Sequence, residues 1–185
     1  MTAPDGAPDR SERRVGVEAS EFDEFYTASF RRVTGQVYAM IGDFEEATEC
    51  TQEAFARAWA HRRKLDKAEY PEAWVRTTAY RLAVSRWRRR KRGERSPDRA
   101  LQGAGAVAAV DESHVALVAA LRQLPEAQRQ ALVLHHIADL PVQQVAAEVG
   151  VPEGTIKARL SRGRAALAEL LADETGLAGG GVTHA

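Results

Sequence analysis

Between Leu140 and Leu171 the apolar residues fall into two helical stripes parted by Gly150, and no other stretch of the chain leaves so little choice of fold. Val142, Val145, Ala146 and Val149 recur at i, i+3, i+4 and i+7, which predicts a short helix. Gly150 follows where a left-handed cap would end it. Beyond the turn, Ile156, Leu160, Gly163, Leu167 and Leu170 share one stripe, while Gly154, Ala158, Ser161 and Arg162 lie opposite with Thr155 beside them. Two helices joined by a glycine turn read as a helix-turn-helix. The outward face of the second helix is small and polar, so it can approach a partner closely. Lys157 and Arg159 flank that face, placed to reach phosphates on either side of a groove. The pattern suits duplex DNA; its plain alternative is a helical hairpin with a solvated basic face.

The rest of the chain has to be compatible with that unit. Its 185 residues suffice for one domain or two small ones, and 44% apolar content supports packed cores. The 26 basic and 26 acidic residues cancel, so net charge decides nothing about partners and the distribution must be read instead. Asp43 to Glu53 carries five acids and no base, whereas Arg81 to Arg95 carries eight bases against Glu94. The single cysteine, Cys50, excludes an internal disulfide, and no run of about 18 apolar residues is present to span a bilayer. Met1 to Arg14 is polar and lacks the apolar core of an export signal, so a cytoplasmic setting is expected.

An all-α chain of two small helical domains joined by a flexible linker is the expected fold. Phe22, Phe25, Tyr26, Ser29, Phe30, Val33, Val37, Met40 and Ile41 form the stripe of a first helix that ends near Gly42. Asp43 can cap a second, whose buried stripe is Ala47, Cys50, Thr51, Ala54 and Ala58; Glu45, Glu49 and Gln52 then point outward, with Glu53 to one side. Pro71 opens a third, with Trp74, Val75, Thr78, Ala79 and Leu82 inward. Trp59 and Trp74 are expected in the core. Four further helices follow, Pro125 and Pro141 each marking a start. The expected organisation is a disordered tail (1–19), a helical domain (20–92), a linker rich in Gly, Ser, Pro and Ala (93–112), the helix-turn-helix domain (113–172) and a loose tail (173–185).

Two faces outside the helix-turn-helix invite partners. Tyr80 and Trp87, with Arg86, Arg88, Arg89 and Arg90 on the same helix, combine the planar side chains and cations that bind melted single strand. The acidic second helix has a plainer explanation in its favourable helix dipole, which does not extend to Gln52 and Glu53 beyond the first turn. No metal site is read: His135 and His136 are adjacent and point to different faces. Gly103-x-Gly105 lacks the Lys and Ser/Thr of a phosphate loop. No cofactor, small-molecule substrate or catalytic constellation is expected, which makes an enzyme the weakest hypothesis.

From residue 22 to 172 the chain resembles a bacterial RNA polymerase sigma factor of the extracytoplasmic-function group. Asp43 to Trp59 is similar to the group's acidic helix that docks on core RNA polymerase, which implies polymerase contacts at Glu45, Glu49, Gln52 and Glu53. Trp74 to Arg92 resembles the helix that opens the promoter and holds the minus-ten element, implying DNA contacts at Tyr80, Arg81, Arg86, Trp87, Arg88, Arg89 and Arg90; the loop from His61 to Tyr70 would form the other wall of that pocket. Leu124 to Leu171 resembles the minus-thirty-five reader, with Thr155, Lys157, Ser161 and Arg162 near bases and Arg159 and Arg164 near phosphate. This chain has Glu49 where Asp is common, which keeps the charge on a longer arm. It has Arg81 where an Asn often receives an unpaired base, and Ser85 where Asp is common, so the resemblance does not fix the base taken there. Promoter DNA, core polymerase and an anti-sigma factor are the partners it implies. A stand-alone operator-binding regulator, dimeric on symmetric half-sites, is the alternative.

Overall fold

The computed structural model describes residues 10–65, 70–92 and 112–178, and every regular element among them is helical. In chain order these are α1 (Arg10–Ile41), α2 (Phe44–Ala60), the single turn α3 (Arg62–Leu65), α4 (Pro71–Lys91), α5 (Glu112–Gln123), α6 (Glu126–Leu132), α7 (Val142–Val149) and α8 (Glu153–Ala178). Among the described residues no helix is long and apolar enough to cross a membrane.

The first lobe is α1, α2 and α4 around Val33, Val37, Ala47, Cys50, Ala54, Phe55, Val75 and Ala79. Its alanines let the helices come close, and Phe55 fills the remaining space, its ring lying 4.9 to 6.4 Å from those of Phe22, Phe25, Tyr26 and Phe30. Gly42, at φ +73°, turns the chain from α1 into α2, and the Asp43 carboxylate accepts the Glu46 N–H at 3.0 Å, a cap that contributes about 1 kcal/mol. Pro71 starts α4, as its missing N–H and fixed φ favour.

In the second lobe, α5 to α8 enclose Leu121, Leu132, Leu134, Val145, Ile156 and Leu160. α6 runs into one wide π turn, Val133–Ile137, closed by the Ala138 N–H on the Val133 carbonyl at 2.9 Å. The His135 ring then hydrogen bonds the Leu140 carbonyl at 2.8 Å, ahead of α7. Gly150 caps α7 in the left-handed conformation (φ 76°, ψ 37°), and both its N–H and that of Val151 reach the Ala146 carbonyl. That cap swings the chain into α8. Gly163 brings α8 hard against α6, since a Cβ there would lie 3.0 Å from a Leu132 methyl.

Several expectations need revision. α1 begins at Arg10, so Arg10 to Ala19, expected as tail, is helical; no proline or glycine pair interrupts it after Pro8. α8 likewise runs to Ala178, past the boundary expected at residue 172, and its end precedes the Gly179-Gly180-Gly181 run. Trp59 and Trp74 are not core: they are 38% and 37% exposed, because each falls one residue off a buried stripe already filled by Ala58 and Val75. Of the expected linker, 93–111 lies outside the described residues, as do the remaining tails (1–9 and 179–185) and 66–69 of the expected pocket loop.

What the sequence does not announce is that the lobes pack on one another. Ala39 and Met40, at the end of α1, are buried in the second core and not the first, and α1 touches α5, α6 and the π turn.

Candidate nucleic-acid interface and docking face

α8 presents Lys157, Ser161, Arg162 and Arg164 to solvent beside the small residues Gly154, Ala158 and Ala165. Ile156, Leu160 and Gly163, buried beneath them, fix the rotation of the helix. Thr155 and Arg159 are half-buried at the edges of this face. None of these four cations forms an ion pair among the described residues; Arg162 only folds back to donate from Nε to the Ala158 carbonyl at 3.3 Å. The result is an exposed cationic row on one helix that no ion pair among the described residues neutralises, the electrostatic requirement for approach to phosphates.

The basic end of α4 is divided. Arg86 and Arg90 turn inward onto α2: Arg86 donates to Glu49 at 2.9 Å and to Glu53 at 2.7 Å, and both arginines reach Glu46. Two of the cations expected at DNA therefore hold α4 to α2. Arg81, Arg88 and Arg89 stay exposed and unpaired among the described residues, and Trp87 is 51% exposed with the Lys91 ammonium 4.7 Å from its ring centre. Tyr80 is half-buried, its hydroxyl donating to Glu126 of α6 at 2.6 Å; burial, reinforced by this hydrogen bond, holds its phenol above the ordinary range.

On α2, Glu45, Glu49 and Gln52 are exposed and Glu53 is half-buried, sharing its carboxylate between Arg86 and Arg57. Glu49 and Glu53 are thus held from behind by arginine, while Glu45 and Gln52 make no ion pair among the described residues. Sequence reading missed Glu46, whose side chain is only 8% exposed and which faces Arg86, Arg90 and the Cys50 thiol. Its one available signal was its place four residues before Cys50, on the buried stripe. Arg76 was missed as well: it is 2% exposed in the middle of α4 and pairs with Glu148 of α7.

Cys50 is fully buried, and desolvation pushes its thiol up to about 12 against the opposing pull of Arg86. A folded pKa raised above the unfolded value gives stability that is complete below about pH 9 and is lost as pH rises toward 12. The thiol is expected to resist iodoacetamide at pH 8 in the native chain and to react fully in guanidinium. Urea unfolding at pH 10.5 is expected to show a stability about 1–2 kcal/mol lower than at pH 8. Equal stability at both would show that the thiol is not desolvated. Among the described residues no group of His, Cys, Asp and Glu is arranged to hold a metal ion.

Comparison with known proteins places both lobes. The family described as sigma-70 region 2 matches residues 25–93, and that described as sigma-70 region 4 matches residues 114–167. The ECF RNA polymerase sigma factor SigW of Bacillus subtilis (strain 168) is 29% identical over 157 residues, covering 74% of this chain and 81% of its own. SigK of Mycobacterium tuberculosis (strain ATCC 25618 / H37Rv), also an ECF RNA polymerase sigma factor, is 28% identical over 158 residues, covering 80% and 84%. The sigma factor RpoE of Bartonella quintana, solved in complex with the anti-sigma factor NepR, shares the fold with a TM-score of 0.69 at 24% identity, over 82% of this chain and 96% of that one.

Proposed function

Since the chain belongs to the sigma-70 family, among the extracytoplasmic-function sigma factors, we propose that it binds core RNA polymerase and directs it to promoters through a minus-ten and a minus-thirty-five element. In this reading the first lobe is region 2 and the second is region 4. The exposed edge of α2, Glu45, Glu49 and Gln52 with Glu53 beside them, docks on the polymerase. The row on α8, Lys157, Ser161, Arg162 and Arg164 with Thr155 and Arg159 at its margins, enters the major groove at the minus-thirty-five element. Trp87, Arg81, Arg88 and Arg89 receive the opened minus-ten strand, stacking and neutralising it. Arg86, Arg90 and Tyr80 position that surface from behind. The chain itself performs no bond chemistry; it chooses where the polymerase starts. It acts in the cytoplasm, and an anti-sigma protein that covers these faces is the holding partner expected for the group.

The observation that carries the reading is the unneutralised cationic row of α8, held behind a left-handed glycine turn, on the same chain as an arginine-backed acidic helix. The test is multi-round transcription in vitro on genomic fragments, with core polymerase alone, with the chain, and with a Glu45→Lys, Gln52→Lys variant. These two side chains are exposed and make no ion pair among the described residues, so the variant is expected to melt with the wild type. It is expected to need at least about tenfold more protein for half-maximal transcription, as reversed charge on a docking face costs several kcal/mol. If core polymerase gains no transcripts from the wild-type chain while the chain alone protects a specific duplex, an operator-binding regulator replaces this reading.

A further inference from the structure

His135 and His136 are neighbours in the chain, and neighbours on an α-helix point about 100° apart. On the wide turn Val133–Ile137, closed five residues on, the two rings nevertheless meet, their centroids 4.7 Å apart and their planes at 62°. The expectation that they point to different faces is corrected by this contact. His135 is fixed, since its Nδ1–H donates to the Leu140 carbonyl at 2.8 Å. His136 is exposed and makes no hydrogen bond among the described residues. Gly163 of α8 seats against Leu132 just before the turn, which brings Arg164 within electrostatic reach of His136. Arg164 belongs to the exposed cationic row.

The charges that act on His136 are thus His135 on its own turn and Arg164 on α8. Both oppose its protonation, and partial desolvation opposes it more, so the imidazole is held below its ordinary range. The other helices against the turn, α1, α6 and α7, bring the core residues Met40, Leu132 and Val145. Asp139 follows the turn, exposed at φ 53°, and no carboxylate among the described residues pairs with either ring. Two imidazoles and a guanidinium therefore share one patch with no acid paired to it, at the edge of a row suited to phosphates. An anion seated between His136 and Arg164 reverses the local balance, because the charged imidazole then has an attractive neighbour.

We propose that His136, set against His135 and beside Arg164, is a phosphodiester contact of the second lobe that forms in acid and weakens at neutral pH, so that this chain binds duplex DNA more tightly as pH falls. It rests on the reading of α8 as the helix that meets duplex, which the sigma factor and the operator-binding regulator share. The sign follows from linkage. The imidazole of the free chain is held low, and one against a phosphate is held higher than that, so binding takes up a proton. Affinity then rises as pH falls through the value of the bound form, and levels off where the free form is protonated as well.

The experiment titrates the full chain into a short labelled duplex of random sequence, since a backbone contact needs no particular bases. Anisotropy is read at about pH 5.5 and about pH 7.5, at one low ionic strength and then over a salt series. Wild type is expected to bind about fivefold more tightly at the lower pH, the worth of one exposed ion pair. Its slope of log K against log salt is expected to steepen there by up to about 0.9, which a merely structural role does not produce. His136→Gln, which cannot take the proton, is expected to lose both changes. His136→Lys, charged throughout, is expected to bind at both pH values as wild type does in acid. The position is exposed, so both variants are expected to melt with the wild type. Equal wild-type affinity at the two pH values, a His136→Gln variant that keeps the gain, or a chain that binds the duplex at neither pH overturns the proposal. Acid-tightened binding that His136→Gln abolishes, in a chain that gives core polymerase no transcripts, leaves the phosphate contact standing and removes the sigma reading alone.

Discussion

Replacement of both Lys157 and Arg162 by alanine is expected to reduce promoter-specific transcription by about a hundredfold while leaving the melting temperature unchanged. Both side chains are exposed on α8 and carry no structural ion pair among the described residues, so their removal costs the fold little. A well-made contact to a base edge is worth about 1–3 kcal/mol of discrimination, and a hundredfold corresponds to about 2.7 kcal/mol. The two losses together reach that figure even if only one residue meets a base. The other, if it meets a phosphate, shows itself in salt dependence, where each lost phosphate contact flattens the slope of log K against log salt by about 0.9. The measurement is anisotropy of a labelled promoter duplex with the polymerase complex at several salt concentrations, beside a dichroism melt. Wild-type affinity and slope in the double variant would remove α8 from the interface.

Glu46→Lys is expected to destabilise the first lobe by about 3–5 kcal/mol, lowering its urea midpoint sharply. The Glu46 carboxylate is nearly buried, faces Arg86 and Arg90, and lies 3.4 Å from the Cys50 sulfur. An ammonium there abolishes both pairs and places a third cation among the two arginines. Breaking a buried pair from one side costs about 3–5 kcal/mol, before repulsion is counted. Domains of this size are stable by only about 5–15 kcal/mol in total. Glu45→Lys, one residue away and exposed, is expected to move stability by less than about 0.5 kcal/mol. Urea titration followed by dichroism distinguishes the two positions. A wild-type midpoint for Glu46→Lys would show that the α2–α4 arginine cluster contributes nothing to folding.

The contrast between Glu45 and Glu46 illustrates what the sequence made legible. Local features were readable: the Asp43 cap, the alanine stripe of α2, the Pro71 start of α4 and the left-handed Gly150 all depend on neighbours within a few residues, so periodicity and backbone chemistry were enough to find them. The outward row of α8 followed from the same geometry. Pairings across long separations were not readable. Arg76 and Glu148 are 72 residues apart, and each reads alone as a polar residue on a helix. Arg86 and Arg90 belong by composition to a nucleic-acid patch, and only the crossing of α4 over α2 turns them inward. The tryptophans failed for another reason: a large side chain one position off a stripe of alanines has no room beneath it, whatever its hydrophobicity.

The double use of α1 bears on how the chain is made. Val33 and Val37 serve the first core, while Ala39 and Met40, two or three residues later, are buried in a core built mainly by helices from residue 112 onward. On a ribosome adding about 5–20 residues per second, Leu160 emerges roughly 6–24 s after Met40. For that interval the first lobe can assemble, but the end of its longest helix is uncovered and sticky. A nascent chain stalled before α5 therefore exposes an apolar helix end that is hidden in the finished protein, a natural target for chaperones that survey incomplete chains.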